Sequence, residues 1–562
     1  MKNIFLNTAN VAVASMLLLS QAATAQIQDT RTELLKPFQA KLAKSQKFEA
    51  KPHRPQIDTN ANKQLQYIVP TYVTQVTYEE PTIRPLAMPR SKPPESKSFY
   101  AKAGFGYPLS PLVEISYHNK NIEKWKFGIT AKHHSLLKGN SPYQTFSQTG
   151  ADANLTYFSE KNIALGGYIG IDYNTNMFYG IDSLLIDITP EEQLKQNFLN
   201  FEAGLNIFNG TVSKSNFNYR GDVDFHYYAD RNSSSEISVS PSFKIEKWFG
   251  KSKNRNPFRL DVGMNYLSFN DQLSDATSNS TNILLVYLRP NFTFKAGDFK
   301  AKLGVDLGTN EGDFYINPDV EISYSIAKGM LTLYGGAVGQ VRQNNFRSLT
   351  QYNPFLVSNP EIHHTNYLEF FGGAKGSVKR IGYDVKAGYA LTRNLPLFLN
   401  ADIVNTSSDA WRFQTVYDTV GIVFVRGALD FRLVDNLLVG GIVSYNIYTP
   451  KNAEKAWHLP TLETNFFASY DFFFNKKKQP MSNYLTVRAE FYLNAGVPYI
   501  NDLSDKATLG GLYDFNLGFQ YKASENVGLF LQLNNIANNR TQRWNGYRQL
   551  GFNGMVGVEL YF

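Results

Sequence analysis

The sequence predicts an all-β fold: a large antiparallel transmembrane β-barrel of about 22 strands, preceded by a short irregular N-terminal segment. Three observations carry this prediction. Oily side chains recur at every second position over stretches of nine or more residues. Short polar connections interleave with long ones along the chain. The last residues, Gly554–Phe562, form one further alternating stretch ending on an aromatic carboxyl terminus.

Residues 1–25 read as a secretory signal peptide. Met1-Lys2-Asn3 gives a positive start, Val11–Leu19 an apolar centre and Ala23-Thr24-Ala25 an A-x-A cleavage signature. The apolar centre is too short to cross a hydrocarbon layer of about 30 Å as a helix. The 562 residues include no cysteine, which excludes disulfides, thiolate metal sites and cysteine nucleophiles. A thiol-free chain suits an oxidising compartment.

Residues 26–97 read as a proline-rich, basic periplasmic tail. Pro37, Pro52, Pro55, Pro70, Pro81, Pro85, Pro89, Pro93 and Pro94 fall within it. Proline fixes φ and lacks a backbone donor, so regular sheet or a long helix is excluded. A short helix around Thr32–Phe48 and an edge-adding strand at Tyr67–Tyr78 remain open. The tail is expected to be a flexible linker, or to dock onto a periplasmic or lipoprotein partner or into the barrel lumen. Of the net charge of +8, Lys2 supplies one, the tail five and the 465 residues after it only two. No basic stripe interleaved with aromatics follows, so nucleic acid is not an expected partner.

Residues 98–562 read as an outer-membrane β-barrel. Aromatic residues make up 14% of the chain and charged residues 19%, against a usual charged share of about 25%. Leu485, Val487, Ala489, Phe491 and Leu493 alternate with Thr486, Arg488, Glu490 and Tyr492. Tyr513, Phe515, Leu517, Phe519 and Tyr521 alternate with Asp514, Asn516, Gly518 and Gln520. The same pattern recurs at Phe217–Tyr227 and Phe258–Tyr266. Period two over such lengths means one face in something apolar and one in something wet. A tilted strand crosses a bilayer in about 9–11 residues. In hydrocarbon no backbone group can stay unpaired, so the sheet must close on itself.

The connections set the topology. Short ones are read at 159–162, 250–256, 296–298, 327–329, 434–436 and 524–526. Longer ones lie at 136–147, 174–194, 271–281, 343–364, 393–420, 451–460, 499–509 and 538–548. Short turns on the periplasmic side and long loops outside are the bacterial pattern. Treating 393–420 as one outer excursion, a hairpin rising above the membrane, gives 22 strands; splitting it gives 24. The closing strand places Val556, Val558, Leu560 and Phe562 on the lipid side, and Tyr561 opposite. Val556, Val558, Leu560, Tyr561 and Phe562 are the residues expected to serve barrel assembly. The expected partners are outer-membrane lipid and the insertion machinery.

Val527–Asn539, then Arg543-Trp-Asn-Gly-Tyr547, then the closing strand resemble the C-terminal end of TonB-dependent outer-membrane receptors. Ala456–Glu463 and Gly511–Phe519 resemble plugless, receptor-like barrels of the Bacteroidota type. The resemblance covers roughly residues 98–562 and implies the size and location of a barrel in a Gram-negative outer membrane, for which a porin-like transport role is the expectation. Such receptors carry an N-terminal plug of well over a hundred residues behind a TonB-binding box. Residues 26–97 are shorter and proline-rich, so a barrel without a full plug is implied.

Chemical motifs are sparse. His133-His134 and His363-His364 are the metal candidates, but neighbours on a strand point to opposite faces and cannot chelate together. Glu311-Gly-Asp313 reads as a tight turn lacking calcium-loop spacing. Gly166-Gly-Tyr-Ile-Gly170 lies within a strand with no helix after it, so it is no phosphate loop. No G-x-S-x-G occurs. Neither an enzyme nor a cofactor is expected. The functional expectation is solute binding or passage, with long loops such as Asn344–Asn359 touching a sugar or peptide. The alternative is an accessory barrel of a secretion or assembly complex, and after it an outer-membrane enzyme.

Overall fold

The computed structural model describes residues 97–562 except 121–122, 181–189, 211–215, 251–254, 275–276, 328, 402–410, 475–481 and 501–505. The expected signal peptide and residues 26–96 of the tail lie outside the described residues.

Alternation builds one antiparallel sheet of 22 strands, running from Phe99–Tyr107 to Asn553–Tyr561. The first strand pairs with the last from Tyr100↔Tyr561 to Tyr107↔Gly554. The last also pairs with Val527–Asn534. The sheet is therefore a closed cylinder with no free edge, the condition lipid imposes. At the seam Phe99 and Phe562 exchange backbone hydrogen bonds of 2.8 Å in both directions. A Cβ on Gly557 would lie 2.1 Å from the Ala103 carbonyl oxygen, so the seam needs glycine there.

The faces follow the sequence parity. Val556, Val558, Tyr513, Phe515, Val262, Met264 and Tyr266 are exposed on the outer wall, while Met555 and Glu559 are buried within. Gln520 faces the lumen and its amide donates to Glu559 Oε2 at 2.7 Å. Lumen charges pair along the wall, as in Lys302–Asp319 at 2.6 Å and Arg289–Asp306 at 3.0 Å.

Barrel strands range from 8 to 22 residues. The longest extends about 73 Å at ~3.3 Å per residue, over twice the ~30 Å of hydrocarbon. The surplus stands out at the rim opposite Phe99 and Phe562. Ile381–Asn400 and Phe413–Val434 remain paired up to Asn400↔Phe413, so the described residues of 393–420 belong to a single projecting hairpin and the count is 22. The 271–281 stretch, expected as a loop, is instead a hairpin: Asn256–Ser274 and Thr277–Ala296 stay paired to Ser274↔Thr277. Beyond the hydrocarbon no lipid-facing side is required, and on the 381–434 hairpin successive residues Leu397, Phe398 and Leu399 are all buried, so alternation disappears while backbone pairing continues.

Candidate functional site

The distal mouth is filled by the chain's own loops. Its centre is a hydrophobic core that joins Phe178, Phe346, Phe355, Leu356, Phe398, Phe413, Trp544 and Tyr547 from four separate excursions.

The connection between Thr332–Arg342 and Thr365–Val378 supplies a short helix, Phe346–Tyr352. Asn345 caps it: its side chain accepts from Ser348 N at 2.7 Å, while Ser348 Oγ accepts from Asn345 N at 2.9 Å. The cap aims Phe346 and Leu349 into the core. The Phe346 ring meets Phe269 at 5.1 Å and Tyr228 at 5.5 Å on the barrel wall. The Tyr228 and Thr350 hydroxyls lie 2.8 Å apart. After the helix, Asn353 Oδ1 accepts from Phe355 N at 3.0 Å, turning Phe355 onto Tyr547. Their rings stack with centroids 3.5 Å apart. Phe413 N then donates to Phe355 O at 2.9 Å and Val357 N to Phe413 O at 2.8 Å, so this loop adds itself to the projecting hairpin.

The terminal excursion closes the lid from the other side. Gln542–Trp544 and Tyr547–Arg548 form a small hairpin around Gly546 at φ +85°. Trp544 inserts between Phe398, Phe413, His458 and Tyr352, with centroids 5.3–5.6 Å away. Tyr547 also packs on Gly180, where an added Cβ would lie 2.6 Å from the ring. Burial pushes the His458 ring down to about 4, so it is neutral at pH 7. Its Nδ1–H donates to Phe398 O at 2.7 Å, the tautomer that this acceptor requires.

A polar latch ties the lid to the rim. His363 Nδ1 lies 2.8 Å from Glu311 Oε2, and Nε2 lies 2.9 Å from Glu361 Oε1. Hydrogen bonding to Glu311 is the main reason the His363 pKa rises to about 9, with Glu361 adding to it against burial. The ring is a cation donating from both nitrogens. Burial opposes ionisation of Glu311, but its bonds from His363 and the His364 amide outweigh that and hold it below the usual carboxylate value. Elsewhere Asn232 Nδ2 donates to Ser358 Oγ at 2.7 Å, pinning the lid to the neighbouring turn.

The sequence candidates separate accordingly. Glu311, expected as part of a turn, sits at the hairpin tip with φ +54° beside Gly312, and it meets His363, a contact that the sequence reading did not link. His364 is buried, and burial lowers it to about 4. His134 is buried against Phe146 at 5.2 Å, while His133 Nδ1 meets Thr149 Oγ1 at 2.8 Å. Among the described residues no group of three or more His, Cys, Asp or Glu is placed to hold a metal. Gly166 lies within the strand Ile163–Met177, where a Cβ would come 2.4 Å from Asn206 Oδ1. Phe562, Val556 and Val558 lie exposed on the closing strand, with Leu560 and Tyr561 half-buried. Within Asn344–Asn359, the loop expected to touch a sugar or peptide, Asn345, Phe346, Asn353 and Phe355 take part in the lid's own packing. The signal for a lid was the aromatic content of the long connections, which does not say which loops meet.

No protein-family model and no curated protein matches the sequence. Solved structures do match in fold. The ferric-catecholate import receptor Fiu of E. coli K12 aligns with TM-score 0.64 at 9% identity over 84% of this chain and 82% of its own. The pyoverdine outer-membrane receptor FpvA of Pseudomonas aeruginosa PAO1 gives 0.63 at 10% identity over 84% and 80%. The copper transporter OprC gives 0.59 at 12% identity over 84% and 82%. These neighbours are receptors and transporters, not enzymes. The chain shares with them the architecture of a large closed β-barrel, here of 22 strands.

Proposed function

We propose that this chain is an outer-membrane barrel that binds a solute at the outer surface and passes it inward, its mouth gated by its own loops. The lid is the observation that carries the reading. A 22-stranded cylinder is wide enough to need a filled lumen, and here the aromatic core of four excursions occupies the distal mouth. The oily outer wall and the shared architecture support an outer-membrane location. The reading includes a barrel without a full plug, of the TonB-dependent-receptor-like kind, because residues 26–97 are short and rich in proline. Periplasmic partners would meet that tail.

The test uses the absence of native thiols. Asn232→Cys and Ser358→Cys, joined by a short bis-maleimide, should lock the lid, and liposomes bearing the locked barrel should swell less in permeant sugars than unlinked ones. Equal swelling with and without the cross-link would remove the gated reading. The basic tail favours a second reading, an accessory barrel. That reading requires one stoichiometric partner that co-purifies with the barrel and is lost on deleting residues 26–97.

A further inference from the structure

Beside the lid core lies a set of charged groups that its packing does not use. Arg543, on the terminal hairpin, is only 8% exposed. Its Cζ lies 5.3 Å from the Trp544 ring and 5.9 Å from the Tyr352 ring. Its Nη1 is buried with no hydrogen-bond partner among the described residues. On the barrel wall Arg342 lies over Tyr367, with Cζ 3.6 Å from the ring centroid, and its Nη2 is likewise buried without a partner. Arg426 stands within electrostatic reach of Arg342. Its neighbour across the sheet is Ser444, and the next is Glu463. Glu463 feels both Arg426 and Arg543, and the Tyr352 and Tyr492 hydroxyls adjoin Arg543. Lys386 and Glu369 neutralise each other nearby. Arg342, Arg426, Arg543 and Lys386 are thus set against two carboxylates, Glu369 and Glu463, and positive charge is in surplus.

A buried donor without an acceptor is unfavourable unless something supplies one. Here two separate guanidiniums present such donors, and the surplus charge has the same sign. Guanidinium forks match the paired oxygens of a carboxylate or phosphate. The tyrosine hydroxyls add donors suited to the same group. We propose that these residues border a chamber that holds an oxyanion group, carboxylate or phosphate, of the solute the barrel admits. The assignment rests on the receptor reading for its biological role, while the chemistry of the chamber stands on these residues alone.

Calorimetric titration of the full-length detergent-solubilised barrel at low salt, with citrate and with inorganic phosphate as probes, tests it. Saturable binding of either is expected. Arg543→Gln should weaken it by about 10- to 100-fold, the range for a charge-assisted hydrogen bond. Glu463→Gln should tighten it, because the competing carboxylate is gone; a purely structural role would not produce that gain. If Arg543→Gln fails to fold, as judged by heat-modifiable gel migration, Arg426→Gln and Glu463→Gln carry the same test. No saturable binding to the wild type, or wild-type affinity in Arg543→Gln and Arg426→Gln, overturns the chamber. Absent binding together with lid-dependent swelling overturns the chamber and leaves the receptor reading. Saturable binding in a barrel indifferent to the cross-link supports the chamber and removes the receptor reading.

Discussion

Phe355→Ala isolates the lid from the barrel. Phe355 is 5% exposed, stacks on Tyr547 at 3.5 Å and meets Tyr179 edge-on at 5.6 Å. Truncating a packed Phe removes about 3–5 kcal/mol, of which ring pairing supplies about 0.5–1.5 kcal/mol. The backbone bonds between Phe355, Val357 and Phe413 survive the change, which places the loss near the lower figure. At about 1.4 kcal/mol per factor of ten, 3 kcal/mol raises the open-to-closed ratio roughly 100- to 200-fold. The cylinder's own backbone ladder is untouched, so its unfolding transition should not move. The assay is liposome swelling in sugars of graded size, read beside heat-modifiable migration of the same preparation. Phe314→Ala, at an exposed ring, serves as control and should behave as wild type. Swelling of Phe355→Ala equal to wild type would refute the claim that this core seals the mouth. A collapsed barrel would refute its separation from the wall.

Three further outcomes are expected. Leu517→Arg places a charge on the lipid face and should impair assembly by about 2–4 kcal/mol, whereas Gln520→Arg, beside Glu559 in the lumen, should assemble normally; outer-membrane yield of the two variants decides, and equal damage would reverse the faces. Deleting Phe562 removes both 2.8 Å seam bonds to Phe99 and should lower insertion, measured as surface-exposed protein; unchanged surface levels would remove Phe562 from assembly. The latch predicts a pH response. The pKa of His363 is raised from 6.5 to about 9, so its contribution is complete below about pH 6.5 and disappears as pH climbs through about 9. Glu311 is depressed, so its contribution is present above its ordinary value of 4.5 and disappears as pH falls through its lowered value. The His363 side chain is 37% exposed, and screening leaves about 1 kcal/mol to the pair. Swelling should therefore rise several-fold between pH 7 and 10 in the wild type and stay flat in His363→Gln.

Much of the fold was legible because lipid enforces a simple rule. Each crossing must show hydrocarbon to one face and water to the other, and that rule writes itself into alternate residues, as in Tyr513–Tyr521 and Phe258–Tyr266. The chain alone therefore determined the class, the faces, the closing strand and the preferred count of 22. Beyond the hydrocarbon the rule lapses, and the hairpin at 271–281 read as a loop.

The lid was decided by tertiary structure. Phe355 and Tyr547 are nearly two hundred positions apart in sequence, on loops without period or motif. Only closure of the cylinder brings their excursions to the same mouth, where the rings stack. Glu311 meets His363 more locally, because successive strand pairing from Phe299–Asn310 to Thr365–Val378 sets their connections side by side. Such pairs follow from the circumference of the barrel and the register of its strands, which no local stretch of sequence encodes.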